Sequence, residues 1–201
     1  MIFYNDVQTD KLPENIILDI VGEHIIKIYS FKGNGKLKIK LRGNNSYVCF
    51  GKNNIIEKGT VSINGNNYIN KKCQGSCVIG DGNKFRGNLA IYLPLTKGKE
   101  VKIGDNNLFA TNSEIIGCTE HLVFDENNNL LNTENNVIIG NRNWIGRDVM
   151  FLTKSGIGND SVIGIRSVLT KSFSESNVLI AGNPARLKRL NIHWQEGYDE
   201  N

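Results

Sequence analysis

Apolar residues recur every six positions from Ile139 to Leu169, as Ile139, Ile145, Phe151, Ile157, Ile163 and Leu169. Gly140, Gly146, Gly158 and Gly164 directly follow four of them. Four positions beyond each anchor up to Ile163 stands a small or modest side chain: Asn143, Val149, Ser155, Ser161 and Ser167. A helical stripe returns at three and four residues and a half-buried strand at two, so a period of six is neither. Six residues do make one short strand and one turn, and three such units close a triangular coil. The anchor then points inward and the small side chain fills the corner, while glycine and asparagine supply the turn conformations. One coil cannot bury its own anchors, so coils must stack, which also pairs backbone groups from coil to coil.

The period recurs upstream with slipped phase. Ile103, Phe109 and Ile115 share one phase, backed by Asn107 and Ser113. Ile79, Phe85 and Ile91 share another, with Asn83 behind them and Ile63 and Ile69 as a weaker continuation. Phe50 and Ile56 form a weaker pair. The slips predict loops at prism corners, near residues 92–102 and 121–137. Ahead of them, Leu18–Val21, Ile25–Tyr29 and the alternating Lys36–Leu41 predict short strands, which we take as a β-rich cap over residues 1–48 that covers the edge of the first coil. Residues 49–183 form the β-helix. Asn183-Pro184 breaks the pattern, and residues 184–201 are expected to hold a short helical segment over Ala185–Leu190 with a loose polar tail that Trp194 anchors. The fold class is all-β, a parallel β-helix.

Composition narrows the function more than the fold. With 39% hydrophobic and 22% charged residues the chain is not composed like a disordered one. No apolar run reaches the ~18 residues of a membrane helix, and the start lacks a secretion signal, so a cytoplasmic location without a transmembrane segment is expected. A net charge of +4 with scattered basic residues argues against nucleic acid as a partner. Cys49, Cys73, Cys77 and Cys118 lack the spacing of a redox or zinc motif, so free thiols and no metal are expected.

The units I-G-N-R-N-W, I-G-R-D-V-M, I-G-N-D-S-V and I-G-I-R-S-V, closed by Ile180-Ala-Gly-Asn-Pro-Ala185, resemble the hexapeptide-repeat acyltransferases. The resemblance runs from about Phe50 to Leu190. A subgroup of that family carries serine-Asp-x-His-x-x-x-Asp, a loop, and then a coil opening with Val-x-Ile-Gly-x-x-x-Trp-Ile-Gly. Here Cys118-Thr119-Glu120-His121-Leu122-Val123-Phe124-Asp125 is followed by a loop and by Val137 to Gly146 with Trp144. The Ser-Asp ahead of the histidine is replaced by Cys118-Thr119. The subgroup is that of bacterial capsular and surface polysaccharide O-acetyltransferases, including those acting on sialic-acid polymers. The resemblance implies a left-handed β-helix, a homotrimer, acetyl-CoA as cosubstrate in a cleft between subunits, a saccharide acceptor, and a histidine base that drives direct transfer in a ternary complex. N-acetylation of a nucleotide-linked amino sugar is the alternative.

His121 is the candidate base, because neutral imidazole accepts a hydroxyl proton near neutral pH. His24 and His193 read as structural or surface residues. Asp125, Glu120, Glu114, a backbone carbonyl or water remain open as its orienter, and Asp125 also suits a turn that caps its own backbone. A backbone N–H near Trp144–Gly146 is the candidate oxyanion donor. By resemblance, Trp144 flanks the pantetheine arm or the acceptor sugar, with a subunit contact as the plainer reading. Candidate coenzyme A contacts are Trp144, Gly146, Lys154, Arg166, Lys171, Asn183, Pro184, Arg186, Lys188 and Arg189, the cations serving its phosphates or simply lying in solvent. Trp194 is left between adenine stacking and capping the last coil.

Overall fold

The computed structural model describes residues 1–65, 73–119 and 121–197. Ile69 and Glu120 therefore lie outside the described residues. The chain is a left-handed parallel β-helix whose strands collect into three sheets, the faces of a prism. Face 1 has nine strands and includes Tyr47–Phe50, Ser76–Ile79, Glu100–Ile103, Val137–Ile139, Gly156–Ile157 and Ser172–Phe173. Face 2 has seven and includes Lys84–Phe85, Leu108–Phe109, Trp144–Ile145, Val162–Ile163 and Leu179–Gly182. Face 3 has seven and includes Thr60–Gly65, Leu89–Tyr92, Ser113–Ile116, Met150–Leu152 and Val168–Leu169. The chain passes from face 1 to face 2 to face 3 and back, one coil per circuit. Strands of successive coils on a face pair in parallel and in register, so Lys84, Leu108, Trp144 and Val162 align in one column.

The six-residue period decides the interior. The anchors Ile139, Ile145, Phe151, Ile157, Ile163 and Leu169 are all buried, as are Asn143, Val149, Ser155, Ser161 and Ser167 at the corners. Phe50, Phe85 and Phe109 continue the core, the last two with ring centroids 5.3 Å apart. Asn54, Asn83, Asn107 and Asn143 do more than fill corners. Asn107 Oδ1 accepts the Asn143 N–H at 2.9 Å, and Asn107 Nδ2 donates to Gly140 O at 2.9 Å. Asn83 and Asn143 repeat this one coil to either side, so a buried amide ladder pairs backbone groups that the turns leave unmatched. Coil spacing also explains the glycines: a Cβ on Gly140 would stand 2.4 Å from Gly158 O.

Two sequence expectations are corrected. The β-rich segment over residues 1–48 is not a separate cap. Ile16–Val21 and Lys36–Arg42 are strands of face 3, and Ile25–Ile28 is a strand of face 1, each in parallel register with the coil after it. Their two-residue alternation hid a coil membership that only the long-range register reveals; Ile2–Tyr4 also pairs in parallel with Ile25–Ile28, and Val7–Gln8 then adds to it antiparallel at this end. The expected C-terminal helix is a strand: Ala185–Arg189 returns antiparallel to Leu179–Gly182 across a cis Asn183-Pro184 bond. The last coil's free edge recruits the next segment by hydrogen bonding, which overrides a helical preference only five or six residues long.

The predicted loops do leave the stack where face 3 turns back to face 1. They span Leu93 to Lys99 and Gly117 to Asn136.

Candidate active site

The longer loop carries His121. It folds as a small hairpin: Leu131 N donates to Val123 O at 2.8 Å, Val123 N donates to Asn132 Oδ1 at 2.7 Å, and Asn132 Nδ2 donates to His121 O at 2.6 Å. Its far turn is closed by Asp125. One carboxylate oxygen accepts the backbone N–H of Asn127 at 2.9 Å and of Asn129 at 2.8 Å, and the other accepts Asn129 Nδ2 at 2.9 Å. These donors hold the Asp125 carboxyl below its usual pKa. Asp125 is therefore engaged in the turn rather than directed at His121.

The root of the hairpin is fixed by a residue the sequence reading did not single out. Glu134 accepts the backbone N–H groups of Leu95 at 2.9 Å, Thr96 at 2.8 Å and Thr119 at 3.0 Å. One carboxylate thus ties the Leu93–Lys99 loop to the start of the His121 hairpin. No motif flags it, because its partners are backbone groups 15 to 39 residues away. Beside it a groove of about 440 Å³ is lined by Leu95, Thr119, Leu122, Leu130 and Thr133.

His121 is exposed, and among the described residues its imidazole has no hydrogen-bond partner. The hairpin around it exposes apolar side chains: Leu122, Val123, Phe124 and Leu131 are all more than half exposed. Glu114 sits on face 3, half-buried, with its N–H on Val149 O. Glu120 lies outside the described residues.

Lys154 and Lys171 follow face 3 at the same edge as His121, on the next two coils. Lys154 adopts the left-handed conformation at φ 70°, and its carbonyl accepts the Ser172 hydroxyl at 2.9 Å. Lys171 Nζ lies 5.3 Å from the Phe173 ring centroid. The remaining candidates lie elsewhere. Trp144 points outward from face 2, 43% exposed. Gly146 and Arg166 lie at the edge between faces 2 and 3, where Arg166 faces Asp148 at 3.7 Å. Asn183, Pro184, Arg186, Lys188 and Arg189 occupy the terminal hairpin of face 2, their cations exposed. The expected oxyanion donor is only partly consistent with the backbone: Trp144 N and Gly146 N donate to Ser161 O and Ile163 O, both at 2.9 Å, so these two groups belong to the coil ladder. A single chain therefore brings His121, Lys154 and Lys171 to one edge and leaves Trp144, Arg166 and the terminal cations on another face and edge.

Within the described residues, Trp194 ties the tail to face 2. Trp194 Nε1 donates to Arg142 O at 2.8 Å, and its ring lies 6.3 Å from that of Trp144. The four cysteines are free thiols, Cys73 and Cys77 buried with their pKa values pushed up by desolvation.

No family model matches the chain. It is similar to the galactoside O-acetyltransferase of Escherichia coli (strain K12), 34% identical over 110 residues, which make up 54% of this chain and 52% of that protein. The chain spans about half the length, or less, of the curated relatives it matches. Among solved structures, the polySia specific acetyltransferase NeuO covers 94% of this chain, and 92% of its own, with a TM-score of 0.62 at 24% identity. The polysialic acid O-acetyltransferase OatWY covers 100% of this chain, and 94% of its own, with a TM-score of 0.59 at 24% identity. At that identity the likeness speaks for the fold. Repeat, prism and relatives agree on the fold: the chain is a left-handed parallel β-helix of the kind these acetyltransferases have, and over about half of its length its sequence is similar to theirs.

Proposed function

We propose that this protein is an acetyl-CoA-dependent O-acetyltransferase that acts on a hydroxyl of a bacterial surface saccharide, with His121 as general base. The observation that carries the reading is the imidazole itself. It stands exposed on a hairpin braced by Glu134 and Asp125, beside a groove, and no described side chain occupies its nitrogens. An unoccupied ring nitrogen can accept the proton of an acceptor hydroxyl as its oxygen attacks the thioester carbonyl. The tetrahedral intermediate then collapses, the carbon–sulfur bond breaks, and the imidazolium returns the proton to the departing thiolate. Both substrates must be present together, since no covalent acyl-enzyme is needed.

Lys154 and Lys171 lie along the same edge and suit the phosphates of coenzyme A as point charges. The other candidates, Trp144, Arg166, Arg186, Lys188 and Arg189, cannot converge on His121 within one prism, because they occupy a different face and edge. A second copy placed side by side would bring its face 2 against the His121 edge. Closed cyclic symmetry permits a homotrimer, the assembly the family resemblance implies, with three sites between subunits. The exposed apolar hairpin supports such contact, since side chains of this kind beside a charged surface mark an interaction site. The saccharide acceptor rests on the relatives' names: one acts on galactosides, and two solved neighbours act on polysialic acid.

Incubation with labelled acetyl-CoA and a panel of glycans, sialic-acid polymers included, tests the reading. Label that transfers and is released by mild base indicates an ester. Base-stable label would move the acceptor to an amine, and no transfer to any saccharide would overturn the proposal.

A further inference from the structure

The tail crosses face 2 and fills a site made of different chemistry. Lys84, Leu108 and Trp144 stand in one outward column on neighbouring coils. Trp194 packs its indole at Trp144, the two rings tilted by 40°. Two residues on, Glu196 takes both cations at the other end: Oε2 accepts from Lys84 Nζ at 2.6 Å and Oε1 from Arg86 Nη2 at 2.7 Å. Leu108 lies between these anchor points in the column and is only 7% exposed, although its position faces outward. A cavity of about 240 Å³ remains beneath the tail, bordered by Arg142, Asp160 and His193.

The column therefore offers an indole, an aliphatic side chain and the Lys84 ammonium, with Arg86 two residues further along the same coil, where it also faces Glu57 at 3.6 Å. What fills it is an indole and a carboxylate two residues apart, on the order of 7 Å along an extended chain. The contacts are of a kind that exchanges readily: the paired side chains are a third to a half exposed, and such ion pairs add little net stability and are screened by salt. Indole faces bind flat rings, and an Arg–Lys pair binds carboxylate or phosphate.

We propose that this column is a binding site for a ring-bearing anion, a carboxylate or phosphate carried on a sugar or base ring, and that Trp194 to Glu196 is its built-in competitor. When the tail lifts, the ligand's ring packs on Trp144 and Leu108 and its anionic group takes Lys84 and Arg86. The site lies on face 2, which the reading above turns toward a neighbouring copy, and it shares Trp144 with that reading. Neither Lys84 nor Arg86 is among the residues assigned to coenzyme A, and the test reads binding without acetyl transfer.

The chain has two tryptophans, one on the column and one on the tail, so its emission reports docking of the tail. Wild type and Glu196→Gln are titrated with N-acetylneuraminic acid, uridine 5′-monophosphate and inorganic phosphate, followed by fluorescence and calorimetry. The ring-bearing anions should change the emission of the wild type, and Glu196→Gln should bind them at least about threefold more tightly, because its competitor is weakened. Lys84→Ala combined with Arg86→Ala should lose at least about tenfold. Preference for the sugar acid or for the nucleotide identifies which ring carries the anion. Unchanged emission, equal or weaker binding by Glu196→Gln, or phosphate binding as tightly as either ring compound would overturn the proposal. Should Glu196→Gln fold poorly by its melting curve, Trp194→Ala removes the same competitor and calorimetry gives the same comparison.

Discussion

Three residues define what the His121 hairpin does, and each has a distinct task. In the proposed mechanism His121 carries the proton, so His121→Ala should leave the fold intact and lower turnover by ~10²–10⁴, as loss of a general base does. Near wild-type turnover in that variant would remove the mechanism. Asp125 and Glu134 act by positioning. Both spend their oxygens on backbone N–H groups, and removing either acceptor leaves several donors to solvent. Glu134→Ala should increase amide hydrogen exchange at Leu95, Thr96 and Thr119 and lower turnover less than His121→Ala. Equal exchange rates at these three amides would show that the brace is unimportant. His24 contributes in another way. It is buried at 5% exposure, and desolvation depresses its pKa below the ordinary 6.5. The unfolded chain then binds a proton that the folded chain resists, so stability is full above pH 6.5 and falls as the pH drops below that value. The melting temperature should decline from pH 7.5 towards pH 5, and His24→Phe should flatten that slope.

At the scale of elements, the corner amide ladder and the exposed hairpin make opposite demands. The ladder is wholly buried and exchanges hydrogen bonds between four coils through Asn54, Asn83, Asn107 and Asn143. Asn107→Ala would leave the Asn143 N–H and Gly140 O unpaired in the interior, at a cost of roughly 2–4 kcal/mol. For a chain of this length that corresponds to a fall of about 4–16 °C in melting temperature, which calorimetry can read. The His121 hairpin instead projects from the stack with Phe124 and Leu131 at 51% and 57% exposure. If the proposed trimer forms through this hairpin, Phe124→Ser with Leu131→Ser should shift the mass measured by light scattering from three copies towards one, without unfolding the prism. A variant that keeps the wild-type mass would remove the hairpin from the interface.

For the whole molecule, the prism is a rigid frame and its edges are where chemistry can be added. Insertions at the edge from face 3 to face 1 leave the coils above and below in register, which is why two loops of unequal length fit the same stack. The distribution of cations over two edges predicts that coenzyme A affinity depends on salt, because exposed phosphate contacts are screened. Affinity should fall several-fold between about 0.05 and 0.5 M salt, and salt-independent binding would argue against the assigned lysines and arginines.

The spacing of apolar and small residues by itself determined the β-helix, its buried anchors from Ile139 to Leu169 and the sites of its loops, because a local period dictates which side chains can face one interior. It also placed His121 at a register break, outside the core pattern, while the reading of it as a base came from the family resemblance. Tertiary structure alone decided the rest. The N-terminal strands joined the coils because parallel register is a long-range property, and Ala185–Arg189 became a strand because a free sheet edge lay beside it. Glu134 gained its role through backbone groups far along the chain, and Glu196 met Lys84 only when the tail crossed a face built some 110 residues earlier. Such contacts depend on how the coils stack, and no local pattern records them.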